Sequence, residues 1–94
     1  RVLQAHTHYL KSNTQAKVLL SGHADERGTR EYNMALGERR ANAVQAFLVS
    51  NGVQSSQLDT VSYGKEKPLN NSSNEAAWAE NRRVEINYQQ GAPR

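Results

Sequence analysis

Three times along this chain a helical spacing of apolar residues gives way to a strand-like one. That alternation constrains the fold more than any other feature. Residues 2–10 carry Val2, Leu3, His6, Tyr9 and Leu10 at helical spacing, and Ser12-Asn13-Thr14 ends the run. Residues 17–22, Lys-Val-Leu-Leu-Ser-Gly, read as a short strand apolar enough to be central. Residues 23–32 have no period and concentrate charge, which predicts a loop at a strand end. Residues 33–50 form the strongest helical pattern, stopped by Asn51-Gly52. Val53 to Leu58 reads as a connector with one helical turn begun by Ser55. Residues 59–63 read as a second strand ending at Gly64. Lys65 to Asn71 is a loop containing Pro68. Ser72 and Glu75 have capping-box spacing and would open a short helix from Asn74 to about Asn81. Residues 82–88 alternate strictly, with Val84, Ile86 and Tyr88 on one side, and residues 89–94 read as a tail. The order helix, strand, helix, strand, helix, strand predicts an α+β domain: one sheet with helices packed against it. A helix-first chain is unusual in this class, which predicts that a strand was lost upstream.

Composition narrows the function classes. A length of 94 residues allows one domain and excludes two independent cores. No apolar run approaches the ~18 residues of a spanning helix. Mean hydropathy is −0.86, yet the apolar residues are clustered, which argues against disorder. Zero Cys excludes a disulfide scaffold and a Cys-based zinc site. Arg1 leads straight into a helical pattern without a starting Met or signal pattern, so the chain is expected to be a piece of something longer. Twelve Lys and Arg against nine Asp and Glu give +3, but the signs alternate, as in Asp25-Glu26-Arg27 and Glu38-Arg39-Arg40. That predicts a mixed solvated surface and no nucleic-acid patch.

Two polar residues break the pattern of the central helix. Turned at 100° per residue, Met34, Leu36, Ala41, Ala43, Val44, Phe47 and Leu48 share one half-circle. Asn33 and Arg40 lie inside that arc, with Gly37 between them. An inward Arg must find a carboxylate or carbonyls, because an unpaired buried charge costs several kcal/mol. The loop leading into this helix offers Asp25 and Glu26. One reading is an ion pair that only pins the loop. The other is a charged pocket in which the acid takes an ammonium and the guanidinium forks a carboxylate. Arg82 shares a strand side with Val84 and is expected to point inward as Arg40 does, or to pair with Glu80 or Glu85. His23 and Asp25 resemble half a metal site, but no third ligand at suitable spacing completes it, so no metal or cofactor is expected. Ser21 and Ser62 lack a nucleophile motif. Trp78 and Tyr32 read as packing groups.

Residues 21–44, from Ser21-Gly22-His23-Ala24-Asp25 through Asn33-Met34-Ala35-Leu36 to Arg40-Ala41 and Val44, resemble the OmpA-like domain. Tyr63-Gly64 with Pro68, and Asn81-Arg82-Arg83-Val84-Glu85, are similar to the family's two later motifs in the same order. The resemblance covers about residues 1–88. It implies a βαβαβ-type domain with one mixed sheet, helices on one face, and non-covalent binding of peptidoglycan in the periplasm. The implied ligand is the diaminopimelate of the stem peptide, whose side-chain end is a free zwitterion. The family's ligand acid falls on Asp25, its ligand arginine on Arg40, a further arginine on Arg82, and the motif asparagine on Asn33. Gly37 stands where the general motif has Ser. The family's first strand, with an acidic residue near the pocket, and a lipid-bearing Cys with its linker are not in this chain. The version of the motifs here, including Val61-Ser62-Tyr63-Gly64-Lys65-Glu66-Lys67-Pro68, is similar to members lipid-anchored at the periplasmic face of the outer membrane. Such members work with the Tol proteins TolB and TolA. A wall-binding tail of a porin or flagellar stator is the alternative within the family. A wall hydrolase would need a metal triad or paired carboxylates of raised pKa, and neither is apparent.

Overall fold

The computed structural model describes residues 2–91. The elements are α1 (Val2–Ser12), β1 (Lys17–His23), α2 (Arg30–Ser50), a 3-10 turn at Ser55–Gln57, β2 (Leu58–Gly64), α3 (Glu75–Asn81) and β3 (Val84–Gln90). The expected alternation is therefore present, and the sheet is mixed. Its order is β2-β1-β3, with β1 parallel to β2 and antiparallel to β3. A parallel pair needs a crossover, which α2 provides. β1 is central and buried along most of its length, which explains why it reads as an apolar run.

One face of the sheet carries the core. Val18 and Leu20 of β1 meet Leu10 of α1, Ala41 and Leu48 of α2, and Leu58, all nearly inaccessible to solvent. Val44 and the β3 residues Val84, Ile86 and Tyr88 pack against this cluster. The strand alternation thus points the expected side of β3 inward. The expected face of α1 is turned inward at Leu3, His6, Tyr9 and Leu10, and Val2 alone falls outside it. Leu10 and Thr7 are buried, while Val2 is 71% exposed. His6 Nδ1 bonds Tyr88 Oη at 2.8 Å, and Tyr9 meets Tyr88 edge-on.

Several boundaries differ from the sequence reading. α2 begins at Arg30, three residues before Asn33, because Thr29 Oγ1 accepts from Tyr32 N and caps the helix there. The cap of α3 is Asn74, whose Oδ1 accepts from Ala77 N, and not Ser72. β3 continues through Gln89 and Gln90, and Gln90 pairs with Lys17, so two residues expected in a tail belong to the sheet. Residues 92–94 of that tail lie outside the described residues.

The element that sets the site is the crossing of α2 over the sheet. A Cβ on Gly22 would lie 1.7 Å from the Gly37 carbonyl oxygen, so the helix backbone rests directly on the strand. Ser62 Oγ donates to Met34 O at 2.7 Å and fixes the same crossing from β2. The residues flanking Gly37 are thereby held against the C-terminal end of β1. Asn33 and Arg40 are among them.

Candidate functional site

The chain leaving β1 stays fastened to both neighbouring strands. His23 N donates to Arg83 O at 2.8 Å and Ala24 N donates to Gly64 O at 2.9 Å. That aims Asp25 into the mouth of the sheet, where only 7% of it is exposed. Its Oδ1 accepts from Arg27 N at 2.9 Å, a tight side-chain turn that bends the loop back. Arg27 then reaches the same carboxylate with its side chain, Nε to Oδ1 at 3.2 Å and Nη2 to Oδ2 at 2.8 Å. Arg82 Nη1 donates to Oδ2 at 3.1 Å, and its Nη2 donates to Glu75 Oε2 at 2.8 Å. These donors, led by the Arg27 side chain, outweigh burial and hold the Asp25 carboxyl well below the usual carboxylate range. The group is an anion at every physiological pH.

Arg40 approaches from α2. Its Nη1 donates to His23 O at 2.8 Å, so the inward guanidinium is satisfied by a backbone carbonyl. Among the described residues it forms no ion pair with Asp25 or Glu26, and the loop-pinning ion pair is replaced by this carbonyl bond. Glu26 instead accepts from Trp78 Nε1 at 2.7 Å. Asn33 is 1% exposed and donates through Nδ2 to Arg27 O at 2.7 Å and Thr29 O at 2.9 Å. It ties the loop to the first turn of α2, and both hydrogens of its amide are engaged in doing so.

Asp25, Asn33, Arg40 and Arg82 all line one open cavity of about 360 Å³. The site residues named from the sequence are therefore neighbours in space. Tyr32 and Leu36 add an aromatic and an apolar wall, and Arg27 and Gly28 complete the rim. Tyr32 is 57% exposed, so it is a wall of this cavity and not the packing group expected. Trp78 is half-buried, with the Arg27 guanidinium 4.2 Å above its ring. Arg82 sits just before β3, not within it, and pairs with Asp25 and Glu75 in place of Glu80 or Glu85.

His23 does not join Asp25. Its ring stacks on Tyr63 with centroids 5.5 Å apart, and neither ring nitrogen has a hydrogen-bond partner among the described residues. Burial lowers its pKa, reinforced by Arg83. No three His, Cys, Asp or Glu side chains converge as a metal set among the described residues. The residue that sequence reasoning missed is Arg27. Its signal was available, since an Asp-x-Arg followed by Gly28 is the spacing of a side-chain turn that folds back on its own carboxylate.

One carboxylate and three guanidinium groups thus stand on the walls of one cavity, fixed to the end of a mixed sheet. The OmpA family matches residues 1–82, and the chain belongs to that family. It is similar to the peptidoglycan-associated lipoprotein of Pseudomonas aeruginosa, 59% identical over 86 residues, covering 92% of this chain and 51% of that protein. The same-named protein of Haemophilus influenzae is 51% identical over 88 residues, covering 94% and 58%. The chain thus spans little more than half the length of these curated relatives. A crystal structure of the peptidoglycan-associated lipoprotein from Burkholderia pseudomallei superposes with a TM-score of 0.92 at 51% identity, covering 94% of this chain and 75% of that one. The C-terminal domain of Helicobacter pylori MotB has a TM-score of 0.86 at 23% identity, covering 97% and 71%, a likeness of fold alone.

Proposed function

We propose that this domain binds peptidoglycan without covalent chemistry, by seating the zwitterionic end of a stem-peptide diaminopimelate between Asp25 and Arg40. The observation that carries the reading is that both groups line one cavity, with Arg82 beside them. The ligand ammonium meets the Asp25 carboxylate. The ligand carboxylate meets Arg40, which uses Nη1 on His23 O and keeps the rest of its fork for the ligand. The methylenes lie against Tyr32 and Leu36. Asn33 acts indirectly, by holding the loop that carries Asp25.

Binding rather than hydrolysis fits the electrostatics. A general acid needs a raised pKa, and Asp25 is driven the other way. The names of the similar proteins agree with wall association. On the family resemblance of the motifs, we extend the proposal to a lipid-anchored protein at the periplasmic face of the outer membrane, tethering it to the wall in the Tol–Pal system with TolB and TolA as partners.

Co-sedimentation with purified peptidoglycan sacculi tests this. Arg40→Ala loses one hydrogen bond to a carbonyl, so stability falls by about 0–2 kcal/mol. Wall affinity falls further, by about 2–4 kcal/mol, because a charge-assisted fork is lost. No muropeptides are released by either protein. If stability collapses while sedimentation per folded molecule is unchanged, Arg40 is structural and the pocket is misassigned.

A further inference from the structure

Asp25 is fully engaged by groups of the domain itself. A carboxylate offers about four lone-pair sites. Here Oδ1 takes Arg27 N and Arg27 Nε, while Oδ2 takes Arg27 Nη2 and Arg82 Nη1. No acceptor site is left for an incoming ammonium. The cavity as it stands presents three guanidinium groups against one carboxylate, which suits an anion better than a zwitterion.

The two arginines on Asp25 are not equally free to yield. Arg82 is 30% exposed and is tied by its other nitrogen to Glu75. Arg27 is 52% exposed and holds Asp25 by a side chain that already stacks on the Trp78 ring. Releasing the Arg27 fork leaves its cation on an aromatic face, where cation–π attraction persists. The Arg27 backbone N–H can stay on Oδ1, so the turn survives the release.

Resting on the reading of Asp25 as the ammonium site, we infer that Arg27 is a built-in competitor for it. Its guanidinium occupies the ammonium position and must swing off Asp25 before a zwitterionic ligand can bind. Arg27 is then a specificity-determining residue that touches the ligand only by leaving. A ligand with an ammonium displaces it at a cost. A ligand with only a carboxylate binds at Arg40 without displacing it and benefits from its charge. The apparent affinity for the zwitterion is lowered by the fraction of molecules in which Arg27 is closed. Because the Arg27 side of the pair is half-exposed and solvent-screened, that reduction is modest.

Arg27→Gln tests this with two synthetic stem peptides. One carries free diaminopimelate. The other keeps the terminal carboxylate but lacks the terminal amino group. In Arg27→Gln the diaminopimelate peptide should bind roughly three- to tenfold more tightly, and the deamino peptide equally or more weakly. In the unsubstituted protein, the Arg27 Nε–H resonance should lose its hydrogen-bond shift on saturation with the first peptide and keep it with the second. Arg27→Lys, which cannot fork, should fall between Arg and Gln. Unchanged or weaker binding of the diaminopimelate peptide to Arg27→Gln overturns the competitor role. Failure of the unsubstituted protein to bind either peptide overturns the pocket assignment itself, and the competitor with it.

Discussion

Gly22→Ala should be the most damaging single-methyl change in this domain. The added Cβ would stand 1.7 Å from the Gly37 oxygen and 2.5 Å from its carbonyl carbon, against a limit near 3.0 Å that real Cβ atoms essentially never cross. Both partners are backbone, so no rotamer change relieves the clash, and α2 must lift off β1 by more than about 1 Å. That movement also loosens the Ser62 Oγ bond to Met34 O and the Arg40 bond to His23 O. Ordinary overpacking costs about 1–3 kcal/mol with side chains that can adjust. With none to adjust, we expect about 3–5 kcal/mol and a Tm drop of at least ~12 °C. Gly37→Ala is the control. Its Cβ would meet the Ser62 hydroxyl at 2.3 Å, which can rotate at the expense of its bond to Met34 O, although the Gly22 oxygen at 2.8 Å remains. Removing a helix-interior glycine also returns about 1 kcal/mol of propensity. It should therefore cost less than Gly22→Ala. Urea denaturation of the three proteins decides the order. Gly22→Ala within 1 kcal/mol of the parent would refute the close crossing and the account of how the site is held.

Two further outcomes follow from buried polar groups. Gln57 is 2% exposed, and its Nε2 faces the carbonyl oxygens of Leu10, Asn13 and Ala16 at 3.0–3.1 Å. Gln57→Ala leaves those carbonyls short of a donor and should cost about 2–4 kcal/mol by chemical denaturation, with Gln57→Glu no better. His23 is neutral in the fold because burial lowers its pKa, so the unfolded chain takes up the proton first. Its contribution is complete above its unfolded pKa of about 6.5 and fades as pH falls toward its lower folded value. Stability should therefore decline on acidification below pH ~6.5, less steeply in His23→Gln, and a parallel pH profile of the two proteins would contradict this. The depressed Asp25 carboxyl adds a second loss in the same direction only at strongly acid pH.

The wheel of α2 exposed the site because burial leaves few reasons for Asn33 and Arg40 to face inward. The structure puts both on the cavity wall. What the wheel could not supply is the partner, since Arg40 chose a backbone carbonyl and no residue type signals a carbonyl. Helix starts were less legible. Thr29 and Asn74 compete with nearby Asn and Ser residues as caps, and the choice depends on where the flanking loop is held. The open edge of the α2 wheel was also invisible: Ala43 and Phe47 share the apolar arc yet are exposed, because the close approach at Gly37 sets which part of the arc faces the sheet. Gln57 went unnoticed because a polar residue in a short connector reads as solvent-facing. Only the fold brings three carbonyls to it.

Ligand choice tests the central claim most directly. Diaminopimelate differs from lysine by a carboxylate on the terminal carbon. Lysine's ammonium can still reach Asp25 but leaves Arg40 desolvated without an anion, and a site built for a group rejects the analogue lacking it. Calorimetry with three matched stem peptides, bearing diaminopimelate, its terminal amide and lysine, should rank them in that order. The lysine form should be weaker than the free acid by about 30- to 1,000-fold, with the amide between them. Equal affinities across the three peptides would mean that Arg40 does not read the carboxylate and that the cavity is not the wall-binding site.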